Sequence, residues 1–238
     1  MDEIWVCHLG PTPYAEAHGL QQRLRTARQA ELIPDVMLML EHPPVYTRGR
    51  RSQAGELPFG ASWYRDRGIE IVDTDRGGRL TYHGPGQLVG YPIMRTRDVI
   101  AYLRTMEEAI IAALAGEGIE AGLRDGLTGV WVADRKIASI GVHLSRGVTT
   151  HGFAVNVEND LEPFSWVVPC GIDGVRMTSI AAETGRTRAL PCFRRRMAYT
   201  FAQANARRQR LVSLARVESR LATVADAQPP PLVGHAAQ

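Results

Sequence analysis

The sequence predicts an α/β protein made of a single domain with a mixed sheet. Three observations carry that prediction: short apolar runs alternate with amphipathic stretches, no internal repeat occurs, and no composition break marks a linker before residue 186. A length of 238 residues suits one domain or a tight pair. In chain order, residues 13–30 set Tyr14, Ala17, Leu24 and Ala27 at helical spacing, and Val36-Met37-Leu38-Met39-Leu40 is short enough for a buried strand. Residues 69–72, 88–93, 129–132, 137–144 and 153–157 are rich in Val, Ile and aromatics and read as further strands. A helix starts at the N-cap Asp98, carries Val99, Leu103, Met106, Ile110 and Leu114 on one face, and stops at Gly116 and Gly118. Another is expected after Thr178-Ser179, and a basic last one over about 194–222, with Leu214, Val217, Leu221 and Val224 on one stripe. The domain is therefore expected over residues 1–222, and 223–238, with Pro229-Pro230-Pro231, as a disordered tail.

Composition removes several classes. Apolar residues make up 45% and charged ones 22%, which excludes disordered, collagen-like and disulfide-scaffold chains. The longest apolar run, Ala109 to Ala115, falls far short of the roughly 20 residues of a bilayer span. The start Met1-Asp2-Glu3 is acidic where a secretory signal is basic, so a cytoplasmic protein is expected. Cys7, Cys170 and Cys192 are an odd number far apart and read as free thiols in a reducing compartment.

Two asymmetries stand out. Of 28 basic residues only Lys136 is a lysine. Arginine keeps its proton at working pH whereas a desolvated lysine can release it, so a solitary lysine suggests proton transfer, a single lysine that survived by chance being the other reading. Charge is also split: residues 1–185 sum to −5 and residues 186–238 to +8. A basic face of this kind docks nucleic acid or acidic proteins, or is simply a solvated helix.

Residues Asp75 to Gln87 concentrate glycines and arginines between two strands. Glycines let a backbone approach a ligand closely, and an ordinary hairpin would use the same residues. The segment is neither a dinucleotide fingerprint nor a Walker loop. Pro169-Cys170-Gly171 follows the apolar Trp166-Val167-Val168, placing a thiol at the end of an extended run. A nucleophilic cysteine needs a neighbouring cation or base; Lys136 is the suitable one, with His83, His143 and His151 behind it, and a small core residue is the other reading of Cys170. No metal is expected, because no Cys or His pair sits at zinc-ligand spacing, and no Gly-x-Ser-x-Gly elbow is present.

Several blocks together resemble a known family. Leu40-Glu-His-Pro-Pro-Val-Tyr-Thr-Arg-Gly-Arg50, Arg76-Gly-Gly-Arg-Leu-Thr-Tyr-His83-Gly-Pro-Gly-Gln87, Lys136-Ile-Ala-Ser-Ile-Gly141, His151-Gly-Phe-Ala-Val-Asn156 and Pro169-Cys-Gly-Ile172 are similar, in family order, to the octanoyltransferases of protein lipoylation. They span roughly residues 5–185, and the arginine-rich stretch from Arg194 to Arg220 matches no family motif.

The resemblance implies a mixed sheet flanked by helices, like the catalytic domains of biotin and lipoate protein ligases. It also implies a reaction: an octanoyl group moves from octanoyl-acyl carrier protein, through a thioester on a cysteine, to a lysine of lipoyl domains in 2-oxoacid dehydrogenase E2 subunits and the glycine cleavage H protein. By motif, Cys170 would carry the acyl group and Lys136 would lower its pKa. Arg76, Gly77, Gly78, Arg79, Leu80, Thr81, Tyr82, His83, Ser139, Ile140, Gly141, Gly152, Phe153 and Ala154 would line the acyl pocket. No cofactor is expected, since a thioester is already activated, and neither nucleic acid nor membrane is an expected partner. An ATP-dependent ligase of the same fold and a non-catalytic binding module are the other classes these residues leave open.

Overall fold

The computed structural model describes residues 2–167 and 175–227. The elements run β1 (Glu3–Pro11), α1 (Tyr14–Gln29), β2 (Asp35–Glu41), β3 (Val45–Arg48), α2 (Ala61–Arg65), β4 (Glu70–Asp73), β5 (Thr81–His83), β6 (Gln87–Ile93) and α3 (Val99–Ala115). They continue with β7 (Gly122–Arg124), β8 (Leu127–Val132), β9 (Arg135–Ser145), β10 (Val148–Asn156), a 3-10 turn (Glu162–Trp166), β11 (Arg176–Met177), α4 (Ile180–Thr184), α5 (Leu190–Ala204), β12 (Arg208–Val212) and α6 (Leu214–Ala227).

Among the described residues, nine strands form one mixed sheet in the order β12-β1-β2-β6-β10-β9-β8-β7, with β11 lying parallel to β9, and β4-β3-β5 form a second sheet. Strand β2 is a continuous apolar run because both of its faces are covered. Met37 and Met39 enter the core that holds Met106 and Ile110 of α3 and Phe193 and Phe201 of α5. Val36, Leu38 and Leu40 enter the opposite one, with Leu20 and Leu24 of α1 and Val217 and Leu221 of α6. The small sheet has its own core of Tyr46, Tyr64, Leu80, Tyr82, Phe164 and Val167. The single mixed α/β domain expected from the sequence is thus the fold observed. The Asp98 carboxylate caps α3 by accepting from the backbone N–H groups of Ile100 and Ala101.

The C-terminal expectation needs correction. No single helix spans 194–222: α5 ends at Ala204 with Asn205 as its C-cap, Ala206 takes φ 52°, and Arg208–Val212 pairs parallel with Glu3–Cys7 as an edge strand. The last helix runs to Ala227, past the expected boundary at 222, and residues 228–238 lie outside the described residues. The +8 of this segment is partly absorbed by the domain itself. Arg186 and Arg196 pair with Glu117, Arg208 and Arg210 with Glu3, and Arg207 with the buried Asp35. No helix among the described residues is long and apolar enough to cross a membrane.

Candidate active site

Strands β9 and β10 build one wall of a cleft that encloses about 530 Å3, open mouth included. Their antiparallel register sets Gly141 opposite Gly152 and Ser139 opposite Ala154, so the wall is made of small side chains. The glycine-rich segment supplies the facing wall with Arg76, Gly78, Arg79, Leu80, Thr81 and His83. A Cβ on Gly141 would stand 2.8 Å from the Gly77 carbonyl oxygen, so only glycine allows this close approach of the two backbones. The Gly77 N–H donates to the Val142 carbonyl at 2.9 Å, which removes it as an oxyanion donor.

Arg76 is clamped in place. Its guanidinium donates to the Thr47 carbonyl (2.5 Å) and hydroxyl (2.8 Å) and to the Gly77 carbonyl (3.0 Å). Backbone bonds from Arg50 N–H to the Arg76 carbonyl and from Arg51 N–H to the Gly78 carbonyl zip the preceding loop onto the segment.

Lys136 lies on β9, 7% exposed, and lines the cleft with its ammonium 5.5 Å from the centre of the Trp131 ring. Its stem crosses Gly129, whose φ of 124° and missing side chain make the passage possible. The Lys136 carbonyl accepts from the Thr178 N–H, and Met177 pairs with Lys136 in the β11–β9 register. A buried polar chain extends this anchorage: His83 Nδ1 to Gln87 Oε1 (2.8 Å), Gln87 Nε2 to Asn156 Oδ1 (2.9 Å), and Asn156 Nδ2 to the Thr178 carbonyl (3.0 Å). Burial, followed by the nearby His42, pushes the His83 pKa down to about 3, so its ring stays neutral at working pH and serves this network. His42 is likewise held neutral by burial, at about 4, donating to the Thr12 carbonyl and accepting from the Tyr91 hydroxyl.

Of the residues singled out in the sequence, Arg76, Gly78, Arg79, Leu80, Thr81, His83, Lys136, Ser139, Ile140, Gly141, Gly152, Phe153 and Ala154 line the cleft. Tyr82 does not. Alternation along β5 sends Thr81 and His83 toward the cleft and Tyr82 into the small-sheet core against Tyr46 and Phe164. Gly77 contributes a docking backbone, not a wall. Cys170 lies outside the described residues. Burial pushes the Cys7 thiol up to about 11, which makes it an inert core residue. Sequence reasoning missed Tyr14, Tyr91 and His151 as wall residues. His151 opens one of the motif blocks, so a signal existed; Tyr14 and Tyr91 carry only the periodicity of core positions.

The sequence matches the family described as lipoyl protein ligase A/B catalytic domain over residues 13–202. It is 51% identical over 181 residues to the octanoyltransferase of Rubrobacter xylanophilus, covering 74% of this chain and 82% of that protein. It is 47% identical over 197 residues to the octanoyltransferase of Syntrophotalea carbinolica, covering 81% and 90%. Among solved structures, a bipartite lipoate protein ligase from Thermoplasma acidophilum shares the fold with a TM-score of 0.74 at 19% identity, over 96% of this chain and 94% of that one. With a matched profile over most of its length and relatives near half identical, the chain belongs to the lipoyl protein ligase A/B catalytic-domain family and, within it, to the octanoyltransferases.

Proposed function

We propose that the chain moves an octanoyl group from octanoyl-acyl carrier protein, through a Cys170 thioester, to the acceptor lysine of lipoyl domains in E2 subunits and the H protein, in the cytoplasm. The observation that carries this reading is the buried Lys136 in the wall of an apolar cleft, at the register where the chain returns from the Cys170 segment. Val167, three residues before Cys170, packs in the core with Leu80 and Tyr82, and Met177, seven residues after it, pairs with Lys136.

The chemistry balances without a cofactor. With Lys136 as ammonium, the Cys170 thiolate attacks the donor thioester carbonyl. Collapse expels the pantetheine thiolate, which takes a proton from Lys136. The neutral acceptor amine then attacks acyl-Cys170 and gives its proton to neutral Lys136, and the tetrahedral adduct releases the thiolate beside a restored ammonium. General-base assistance of this kind contributes about 10²- to 10⁴-fold. Thioester exchange is close to isoenergetic and the amide is more stable, so no ATP is required. Burying an eight-carbon tail at roughly 0.8 kcal/mol per methylene yields about 5 kcal/mol of binding.

The test is transfer of octanoate from octanoyl-acyl carrier protein to a purified lipoyl domain without ATP. The proposal expects wild-type transfer and none by Cys170→Ser. Transfer only from free octanoate plus ATP, with an octanoyl-adenylate intermediate, would show a ligase instead.

A further inference from the structure

We propose that His18, Asp75 and His151 form a divalent-metal site of zinc type at the end of the cleft remote from Lys136. The three come from α1, the start of the glycine-rich segment and β10, and their ligand atoms all lie within 4.8 Å of one another. His151 Nε2 is 2.6 Å and His18 Nε2 is 3.8 Å from Asp75 Oδ1. Ligand atoms that share one zinc through bonds of about 2.0–2.2 Å stand roughly 3–3.5 Å apart, so small side-chain movements close the site. Two imidazoles and a carboxylate are the donor set of open three-ligand zinc sites, which leave a fourth position to water.

The surroundings suit such a site. The Asp75 and His18 side chains are 41% and 35% exposed, giving an ion an entry path, while His151 is 2% exposed and held rigidly. The His151 backbone N–H donates to Gln21 Oε1 at 2.7 Å, and the His18 ring stacks on the His151 ring at 5.5 Å and 19°. Tyr14 Oη lies 3.4 Å from His151 Nδ1, an outer partner of the kind that orients a ligating imidazole. Without metal, His151 Nε2–H donates to Asp75. Metal binding shifts that proton to Nδ1, which then donates to Tyr14 Oη, and no proton is gained or lost. The amide of Gln22, 2.8 Å from His18 Nε2, turns aside.

His143 Nε2 is 3.7 Å from Asp75 Oδ2, the other carboxylate oxygen, and stands outside the three-ligand set. Ligand spacing in the sequence showed no zinc pair because each ligand sits on a separate element. His151 and Tyr14 also line the cleft, so a bound ion would fix its far wall; the register puts His151 opposite Val142, six residues and roughly 20 Å along β9 from Lys136.

The experiment is equilibrium dialysis of the chelator-stripped full chain against Zn2+, with the visible spectrum of the Co2+-loaded protein. The expected result is one Zn2+ per chain and a tetrahedral cobalt spectrum lacking the near-ultraviolet thiolate band. His18→Ala, at a partly exposed helix position, should keep the native circular dichroism and weaken binding beyond the 10- to 100-fold typical of outer-partner loss. Failure to bind Zn2+, equal affinity in the His18→Ala variant, or a thiolate band assigning the ion to a cysteine overturns the proposal.

Discussion

In a Gly129→Ala variant the added methyl points at the side chain on which the proposed chemistry depends. Gly129 sits at φ 124°, and a Cβ there would lie 2.5 Å from the Ala138 carbonyl oxygen and 2.7 Å from Lys136 Cε. Ala138 is paired with Val130 on one side and Val155 on the other, so the contact with its carbonyl is relieved by a shift of the Gly129 backbone, and the lysine stem gives as well. Carbon atoms pack at about 3.5–4.0 Å, which asks Cε to move by about 1 Å. A 1 Å misplacement at a reacting centre costs about 10²-fold in rate. Backbone strain at such a position costs about 1–3 kcal/mol, which a domain with a typical 5–15 kcal/mol of stability survives. Urea unfolding should therefore show a folded protein less stable by about 1–3 kcal/mol, and single-turnover octanoyl transfer should slow about 100-fold. A folded Gly129→Ala protein with the wild-type rate would refute the claim that transfer depends on where Lys136 is held.

Three further outcomes are expected. Lys136→Arg keeps the charge but cannot release its proton, so octanoyl transfer should fail; turnover at the wild-type rate removes the proton-transfer role. His42 and His83 are held neutral by burial, at about 4 and about 3, against about 6.5 in the unfolded chain. Their stabilising contribution is complete above pH 6.5 and is lost as the pH falls, because the unfolded state takes up two protons that the folded state refuses. These two groups should contribute up to about 2.7 kcal/mol per pH unit to the fall in urea unfolding free energy between about pH 6 and 4.5, and His42→Gln should lower the slope by up to about 1.4 kcal/mol per pH unit; a flat profile contradicts the burial argument. Arg207→Ala removes one of two guanidinium partners of the 3%-exposed Asp35, leaving Arg28 at 2.8 Å. It should cost about 1.5–3 kcal/mol in thermal or urea unfolding, and no loss would show that the C-terminal charge is not structural.

Much of the fold was legible because burial on two faces writes itself into composition. The run Val36–Leu40 was short enough for a covered strand and is one, and Asp98 with Gly116 bracketed α3 to within a residue. The C-terminus was not legible. The stripe at Leu214, Val217 and Leu221 does belong to a helix, but nothing local shows that Arg208–Val212 leaves helical geometry to pair with β1, some two hundred residues earlier in the chain. Edge strands studded with arginine carry little β signal, since their charges keep the edge from pairing with other molecules. In the site, the small residues of β9 and β10 and the glycine-rich wall were legible as motifs, whereas the orientation of Tyr82 required knowing the phase of β5. Tyr14, Tyr91 and the histidines around Asp75 converge from separate elements, so no window of sequence contains them.

Intact-mass analysis after incubation with octanoyl-acyl carrier protein addresses the central claim most directly. The account expects one octanoyl adduct per chain, released by hydroxylamine and mapped by peptide digestion to Cys170, and absent from Cys170→Ser. An adduct on the exposed Cys192, or acyl transfer to a lipoyl domain with no thioester formed at any stage, would contradict it.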